Sequence, residues 1–330
     1  MADVTPDRIF QVANGFMAAK HLFIANEVGL FEHLTAGPAT LDELAPRVGI
    51  PRRTLRILAD AMVALGFVER EGERYQNGPV AATFLSGRPS TDLRPVLRVH
   101  NHFSYPRWLK LEETVRTGQP MFGELAFTAE QQRLFSEGVA AIQAAPAQAL
   151  PTTYDFRRHR RVLDLGGGTG SWLVAVLRAY SDIQATLFEL PAAAAIARPS
   201  LAGTLVAERV TIVEGDVFTD PIPEGHDVVL IANVLHLFRP ERNVALLRRT
   251  RERVPEGARL LLVDFWTDPT HTQPLIAALM AGQFLLDTGE GDVYSVEEGR
   301  AWLQASGWQA LEHKPLAGVV SVIVAETARG

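Results

Sequence analysis

The chain has 330 residues, is 47% hydrophobic and 21% charged, and carries a net charge of -6 with no cysteine. That balance is ordinary for a globular protein, and the length fits one large domain plus a smaller one. It excludes disulfides, thiol nucleophiles and cysteine-based metal sites, and no apolar run approaches the roughly 20 residues that span a bilayer. The start, "MADVTPDRIF", has no basic end followed by an apolar stretch, so the expected location is cytoplasmic, with no membrane partner.

The first third reads as helical. "TLDELAPRVGI" opens on Thr40 followed by Glu43, a capping-box signature. "PRRTLRILADAMVALGF" follows, with Pro51 suited to the first turn and Leu55, Leu58, Ala59, Met62 and Leu65 at helical spacing. Gly66 ends this helix, and "FVEREGERYQN" reads as a hairpin turning at Glu71-Gly72. Helix, turn, helix, hairpin is the order of a winged helix. Such a unit can bind DNA, and Arg52, Arg53 and Arg56 could meet phosphates. Glu69, Glu71 and Glu73 occupy the wing instead of cations, and the acidic balance lacks the basic stripe of a nucleic-acid binder, so no nucleic-acid partner is expected. From "GPVAATFL" to about 150 the chain stays helical, with turn signals at "TGQP" and "AAPAQ".

From Tyr154 the texture changes. "RRVLDLGGG", "IQATLFELP", "RVTIVEGDVF", "HDVVLIANVLHLF" and "ARLLLVDFW" read as five strands, separated by helical stretches such as "GSWLVAVLRAY" and "NVALLRRTRERV". Alternation of this kind argues for a parallel sheet covered on both faces. After a helix at "SVEEGRAWLQASGW", the segment "ALEHKPLAGVVSVIVAET" reads as two edge strands joined near Ala317-Gly318.

The glycines after the first strand allow close backbone approach to a ligand, and the next helix offers free N–H groups. The dinucleotide fingerprint G-x-G-x-x-G fails, because its third glycine position falls on Ser171. What fits is G-x-G-x-G through Gly166, Gly168 and Gly170, with Asp164 two residues earlier. An acid beside the loop repels phosphate and welcomes an ammonium group, which points away from NAD and toward S-adenosylmethionine. Two more acids end the next two strands. Glu189 stands where a carboxylate can accept both ribose hydroxyls, while Asp216 can accept from an adenine amine and Phe218 can pack on the base.

The ordered run "AAKHLFIANEVGLFEHL", "LDELAPRVGIPRRTLRILADAMVALGFVER", "VLDLGGGTG", "FELP", "EGDVF", "NVLHLF" and "LLLVDF" resembles the S-adenosylmethionine-dependent small-molecule O-methyltransferases of the caffeate and acetylserotonin type, over nearly the whole chain. The resemblance implies an α/β fold with an N-terminal α-helical, winged-helix dimerisation domain over residues 1–152 and a C-terminal Rossmann-like class I methyltransferase domain over 153–330. It implies a homodimer whose partner helps wall the pocket for a small-molecule acceptor. It adds Leu190, Val217 and Asn233, within the quoted motifs, to the cofactor-binding residues. It also places the catalytic base at His236, the histidine of an "LHDW"-like motif, with Asp264 after the fifth strand as the acid that orients it.

Two departures stand out. Leu237 and Phe238 replace the usual Asp-Trp, and Val293 falls where a second orienting acid is expected, with Glu290 and Asp292 nearby. A less firmly oriented base suits an already acidic acceptor, so methylation at carbon or sulfur stays open, as does a cofactor-binding protein of this fold that transfers no methyl group. His100 and His102 in "RVHNHFSYPRWLK" lie on a helical stretch where i and i+2 diverge, so no metal is expected. His102, with Phe103 and Trp108 as apolar wall, is a candidate for substrate binding.

Overall fold

A computed structural model describes residues 4–88, 91–120 and 128–328. By contacts the chain divides into two units, one comprising Met1–Pro106 with Glu137–Ile142, the other Arg107–Ser136 with Gln143–Gly330.

In the first unit the capping box forms as the sequence requires. Thr40 accepts the Glu43 N–H while the Glu43 carboxylate accepts the Thr40 N–H, starting the helix Leu41–Val48. The next helix, Arg52–Ala64, follows Pro51 and buries Leu55, Leu58, Ala59 and Met62. Leu65 is exposed, contrary to its helical spacing, because it caps the helix end before the left-handed Gly66. Strands Val68–Glu71 and Arg74–Asn77 form the wing, with Glu71 opposite Arg74, so the two-residue turn is Gly72-Glu73, one residue beyond its expected place. The short strand Ala39–Thr40 completes a three-stranded sheet. Tyr75, fully buried, donates to Asp60 at 2.7 Å, and this bond leads the causes that lower the Asp60 pKa. Arg52 and Arg56 bond Asp42 and Asp60, so two of the three helix arginines considered for phosphate contact are paired within the unit.

The "TGQP" signal marks a real stop, with Gly118 left-handed after the helix Leu111–Thr117. The "AAPAQ" signal does not. The helix Ala129–Thr153 runs straight through Pro146 and Pro151. A proline removes only one hydrogen bond per site, and here the helix end is held by packing, with Ala147 and Leu150 buried in a core cluster.

The second unit is built on a seven-stranded sheet. Its strands are β1 (Arg161–Leu165), β2 (Gln184–Glu189), β3 (Val210–Glu214), β4 (Val228–Ala232), β5 (Arg259–Asp264), β6 (Trp308–Pro315) and β7 (Ser321–Thr327), in the spatial order β3-β2-β1-β4-β5-β7-β6. The first five are parallel and β7 runs antiparallel to both neighbours. Only β6 of the last pair is an edge strand, correcting the expectation of two. β7 is inserted between β5 and β6, which buries its "VIVA" run, whereas β6 alternates exposed positions with half-buried ones after the buried Trp308. Every residue of β4 is buried, as a central strand covered on both faces must be. One face carries the helix Ser171–Ala179 through Trp172, Leu173 and Val176. The other carries Pro240–Arg251 and Val296–Ala305 through Leu246, Leu247, Trp302 and Leu303. Strand order reverses between β1 and β4, and the crevice at their carboxyl ends is where such sheets place ligands.

Candidate active site

At the end of β1 the chain enters a loop in which Gly166, Gly168 and Gly170 all take left-handed φ values of 71°, 57° and 77°. Gly167 is required for a different reason. A Cβ there would overlap the Asp164 carboxylate beneath it. Glu189, at the end of β2, accepts the Gly168 N–H at 2.8 Å and the Leu190 N–H at 2.7 Å. It therefore ties the glycine loop to the neighbouring strand end and keeps spare lone pairs for hydroxyl donors. Burial raises its pKa, and the two backbone bonds work against that rise.

Asp164 is fully buried, and among the described residues neither of its carboxylate oxygens has a hydrogen-bond partner. Burial, with the charge of Glu189 beside it, pushes its carboxyl up to about 8. Asn233, just after β4, holds a left-handed φ of 57°, and both polar atoms of its amide are also unpartnered and shielded from solvent. Left-handed backbone at a non-glycine residue and unsatisfied buried polar groups both carry a cost that functional sites tolerate. An anion-forming group and an amide, both unmet, fit a ligand bearing an ammonium group.

Beyond β3, Asp216 accepts the Phe218 N–H on Oδ1 at 2.7 Å, which fixes the turn and leaves Oδ2 without a bond among the described residues. Phe218 meets Phe238 edge-on at 4.8 Å. The Arg242 guanidinium lies over both rings at 4.2 and 4.6 Å, a cation–π brace that the sequence reading missed. Val217 packs against the same core face, while Leu190 is half exposed at the end of β2.

His236 sits on a 3₁₀ turn, Leu235–Leu237, after β4, and Asp264 is the last residue of β5. The two residues are 6% and 4% exposed, and their side chains meet at 2.6 Å between Nδ1 and Oδ1. Asp264 also accepts the His236 N–H at 3.3 Å and the Phe265 N–H at 2.9 Å, so the carboxylate is fixed on both oxygens. A carboxylate on Nδ1 places the proton there and leaves the Nε2 lone pair as an acceptor. Among the described residues no side chain bonds Nε2.

Leu237 and Val293 fall into one apolar cluster with Ala277 and Phe284. Glu290 faces Arg239 and Arg242, and Asp292 is exposed with its carboxylate on the Val293 N–H, so neither stands in for the missing acid. The turn bearing His236 is held by residues without an obvious sequence signal. Asn243, fully buried in the helix Pro240–Arg251, donates to Leu235 O at 3.0 Å and Phe238 O at 3.3 Å, and the Tyr294 hydroxyl donates to Phe238 O at 2.6 Å. Replacing Asn243 with alanine removes both amide bonds while the Phe238 N–H still reaches Leu235 O and the Tyr294 hydroxyl still reaches Phe238 O, and at about 0.5–1.5 kcal/mol per bond a loss of about 1–3 kcal/mol is expected in urea unfolding.

The three candidate substrate-side residues are divided between the two units. His102 and Phe103 belong to the first unit, where His102 pairs with Glu27 at 3.2 Å and Phe103 is buried on a π-helical turn. Trp108 belongs to the second unit and donates to Gln283 at 2.7 Å. Among the described residues no group of three or more acids and histidines could hold a metal ion, and no helix is long and apolar enough to cross a membrane.

The glycine loop and the seven-stranded sheet that carries it define a class I methyltransferase fold, and known proteins place the chain in a family of that fold. Residues 108–309 match the O-methyltransferase domain family and residues 10–87 the O-methyltransferase dimerisation domain. The chain belongs to the S-adenosylmethionine-dependent O-methyltransferase family and is an enzyme of that class. It is 31% identical over 312 residues to the 3-hydroxy-5-methyl-1-naphthoate 3-O-methyltransferase of Streptomyces sahachiroi, covering 92% of this chain and 89% of that one. It is 30% identical to acetylserotonin O-methyltransferase of Mus musculus, covering 98% and 88%. The N,N-dimethyltransferase OxyT of Streptomyces rimosus is also 30% identical, covering 91% and 90%. Among solved structures, PigF with SAH superposes with a TM-score of 0.88 at 27% identity, covering 98% and 100%. Human N-acetylserotonin methyltransferase with SAM superposes at 0.90 and 24% identity, covering 99% of each chain, which speaks for the fold.

Proposed function

We propose that the enzyme methylates a hydroxyl of a fused-ring aromatic metabolite, with His236 as general base and Asp264 orienting it. The observation that carries this reading is the buried Nδ1–Oδ1 contact at 2.6 Å with Nε2 left open. A phenol has a pKa near 10, so at neutral pH it is a poor nucleophile until its proton is removed. Nε2 takes that proton, and Asp264 stabilises the imidazolium that results. S-adenosylmethionine supplies a methyl group on a positively charged sulfur. Asp164 and Asn233 fit its ammonium end, the spare lone pairs of Glu189 fit its ribose hydroxyls, and Asp216 with Phe218 fits its adenine. The acceptor class is supported by the hydroxynaphthoate enzyme and by the phenazine O-methyltransferase PhzM of Lysobacter antibioticus, 28% identical over 327 residues.

The test uses S-adenosylmethionine with a deuterated methyl group and a pooled panel of hydroxynaphthoates, hydroxyphenazines, aromatic amines, enols and thioethers, read by mass spectrometry. Label on a phenolic oxygen supports the reading. Label confined to nitrogen, carbon or sulfur overturns it, and nitrogen would align this enzyme with its N,N-dimethyltransferase relative.

The working form we propose is a cytoplasmic homodimer that binds neither nucleic acid nor membrane. Ile9, Phe10, Val12, Phe16 and Met17 are all exposed on the first two helices, Asp7–Ala13 and Gly15–Glu27, and a second copy would cover them. The double variant Phe10→Asp/Phe16→Asp is expected to elute as a monomer in light-scattering chromatography, where the parent elutes as a dimer. An unchanged dimer would place the interface elsewhere.

A further inference from the structure

A single bond from Nδ1 to a carboxylate does not fix an imidazole. The ring can still flap about the Nδ1–Oδ1 axis, and that motion swings Nε2 away from the acceptor. With Val293 at the position of the expected second acid, something else must hold the ring plane.

The ring of Phe284 lies against the His236 imidazole with centroids 3.9 Å apart and planes 18° from parallel. Phe265 meets the same imidazole at 5.7 Å, tilted by 48°. Phe284 is buried at 6% exposure on the helix Leu275–Thr288. That helix is clamped along a neighbouring stripe. Trp108 donates to Gln283 at 2.7 Å, Arg107 pairs with Asp287 at 2.6 Å with both side chains mostly buried, and Gln283 donates to Asp287 at 2.8 Å. A Cβ at Gly282 would stand 3.0 Å from the Trp108 ring, so the helix comes close against the indole. Beyond the helix, Thr288 accepts the Gly291 N–H at 2.7 Å, and the Asp292 N–H donates to the His236 carbonyl at 3.1 Å. Backbone and ring of His236 are thus both gripped from one segment.

We propose that Phe284 is a positioning residue for His236: its ring, lying flat on the imidazole, supplies the orientation that a second acid would otherwise give. This rests on the reading of His236 as the base. The Arg107–Trp108 segment acts through Phe284, which makes Trp108 a brace of the site.

Two variants separate ring from bulk. Phe284→Met keeps most of the volume without a flat face, and Phe284→Tyr keeps the ring. Each is assayed with a hydroxynaphthoate acceptor, and the His236 Nδ1 proton is followed by NMR, assigned by its loss in His236→Gln. For Phe284→Met, kcat is expected to fall about 10- to 100-fold, the scale of a misplaced catalytic group, with acceptor KM within about threefold. Its Nδ1 proton signal should broaden, and Phe284→Tyr should restore both readouts. A wild-type kcat with a sharp Nδ1 signal in Phe284→Met overturns the proposal. So does an equal loss in both variants that follows a lowered thermal midpoint, which is what packing alone predicts. If His236→Gln retains full turnover, it is the base reading that fails. The NMR arm still decides whether Phe284 orders the ring.

Discussion

Replacing His236 with glutamine is expected to lower kcat about 100- to 10,000-fold at neutral pH, the range for loss of a general base. Cofactor binding should persist, because the groups that fit the cofactor lie on the glycine loop and the ends of β1 to β4. Asp264→Asn tests the same pair from the other side. An amide at that position can present its N–H to Nδ1 and force the proton onto Nε2, the wrong tautomer for a base. Its turnover should drop nearly as far, and the two losses should not add, since both remove one function. Steady-state rates of the two single variants and the double variant measure this. Additive losses would mean that Asp264 has a role apart from His236.

The second large effect concerns Asp164. In the cofactor-free protein its carboxyl is pushed up to about 8 from an ordinary value of 3.8, first by burial and then by Glu189. The folded state therefore keeps a proton that the unfolded chain releases across that window. Stability from this group is greatest at low pH, declines as pH rises from about 4 to about 8, and is level beyond that. An ammonium ligand reverses the preference by pairing with the ionised form. Cofactor binding near pH 7 should then release close to one proton, visible as a calorimetric enthalpy that depends on the buffer. Affinity should rise toward pH 8 by up to about tenfold per pH unit, then fall as the ammonium, with an α-amino pKa of about 8, loses its own charge. Asp164→Asn should abolish the proton release and weaken binding about 10- to 100-fold, the scale of a hydrogen bond to a charged group. Its cofactor-free thermal midpoint should lose the decline between about pH 6 and pH 8. A parent enzyme that releases no proton on binding would contradict the assignment of Asp164 to the ammonium.

Much of this was legible in the sequence because it depends on local rules. A strand, three left-handed glycines and a helix start are fixed by backbone sterics, and acids at strand ends follow from counting along the chain. His236 and Asp264 stood out on the motifs around them, and the structure brings their side chains into contact. What was not legible depends on neighbours distant in sequence. The insertion of β7 between β5 and β6 is written only in its unbroken apolar run, which is also what a buried edge would show. Pro146 reads as a break until the packing of Ala147 and Leu150 is known. Counting along the chain places Glu189 at a strand end, but not its bonds to the Gly168 and Leu190 N–H groups. Phe284 lies 48 residues from the imidazole it covers, on a helix that carries no motif. Trp108 looked like an apolar wall, and only its indole bond to Gln283 shows that it supports that helix.

The central claim is that His236 removes the proton from the acceptor hydroxyl. The most direct measurement compares single-turnover methyl transfer by the parent enzyme and His236→Gln on one hydroxynaphthoate scaffold carrying substituents that lower the hydroxyl pKa stepwise. If His236 is the base, the deficit of the variant shrinks as the acceptor becomes more acidic and nearly vanishes for one already ionised at the assay pH. A deficit that stays constant across the series would mean that His236 only positions the acceptor, and would contradict the account.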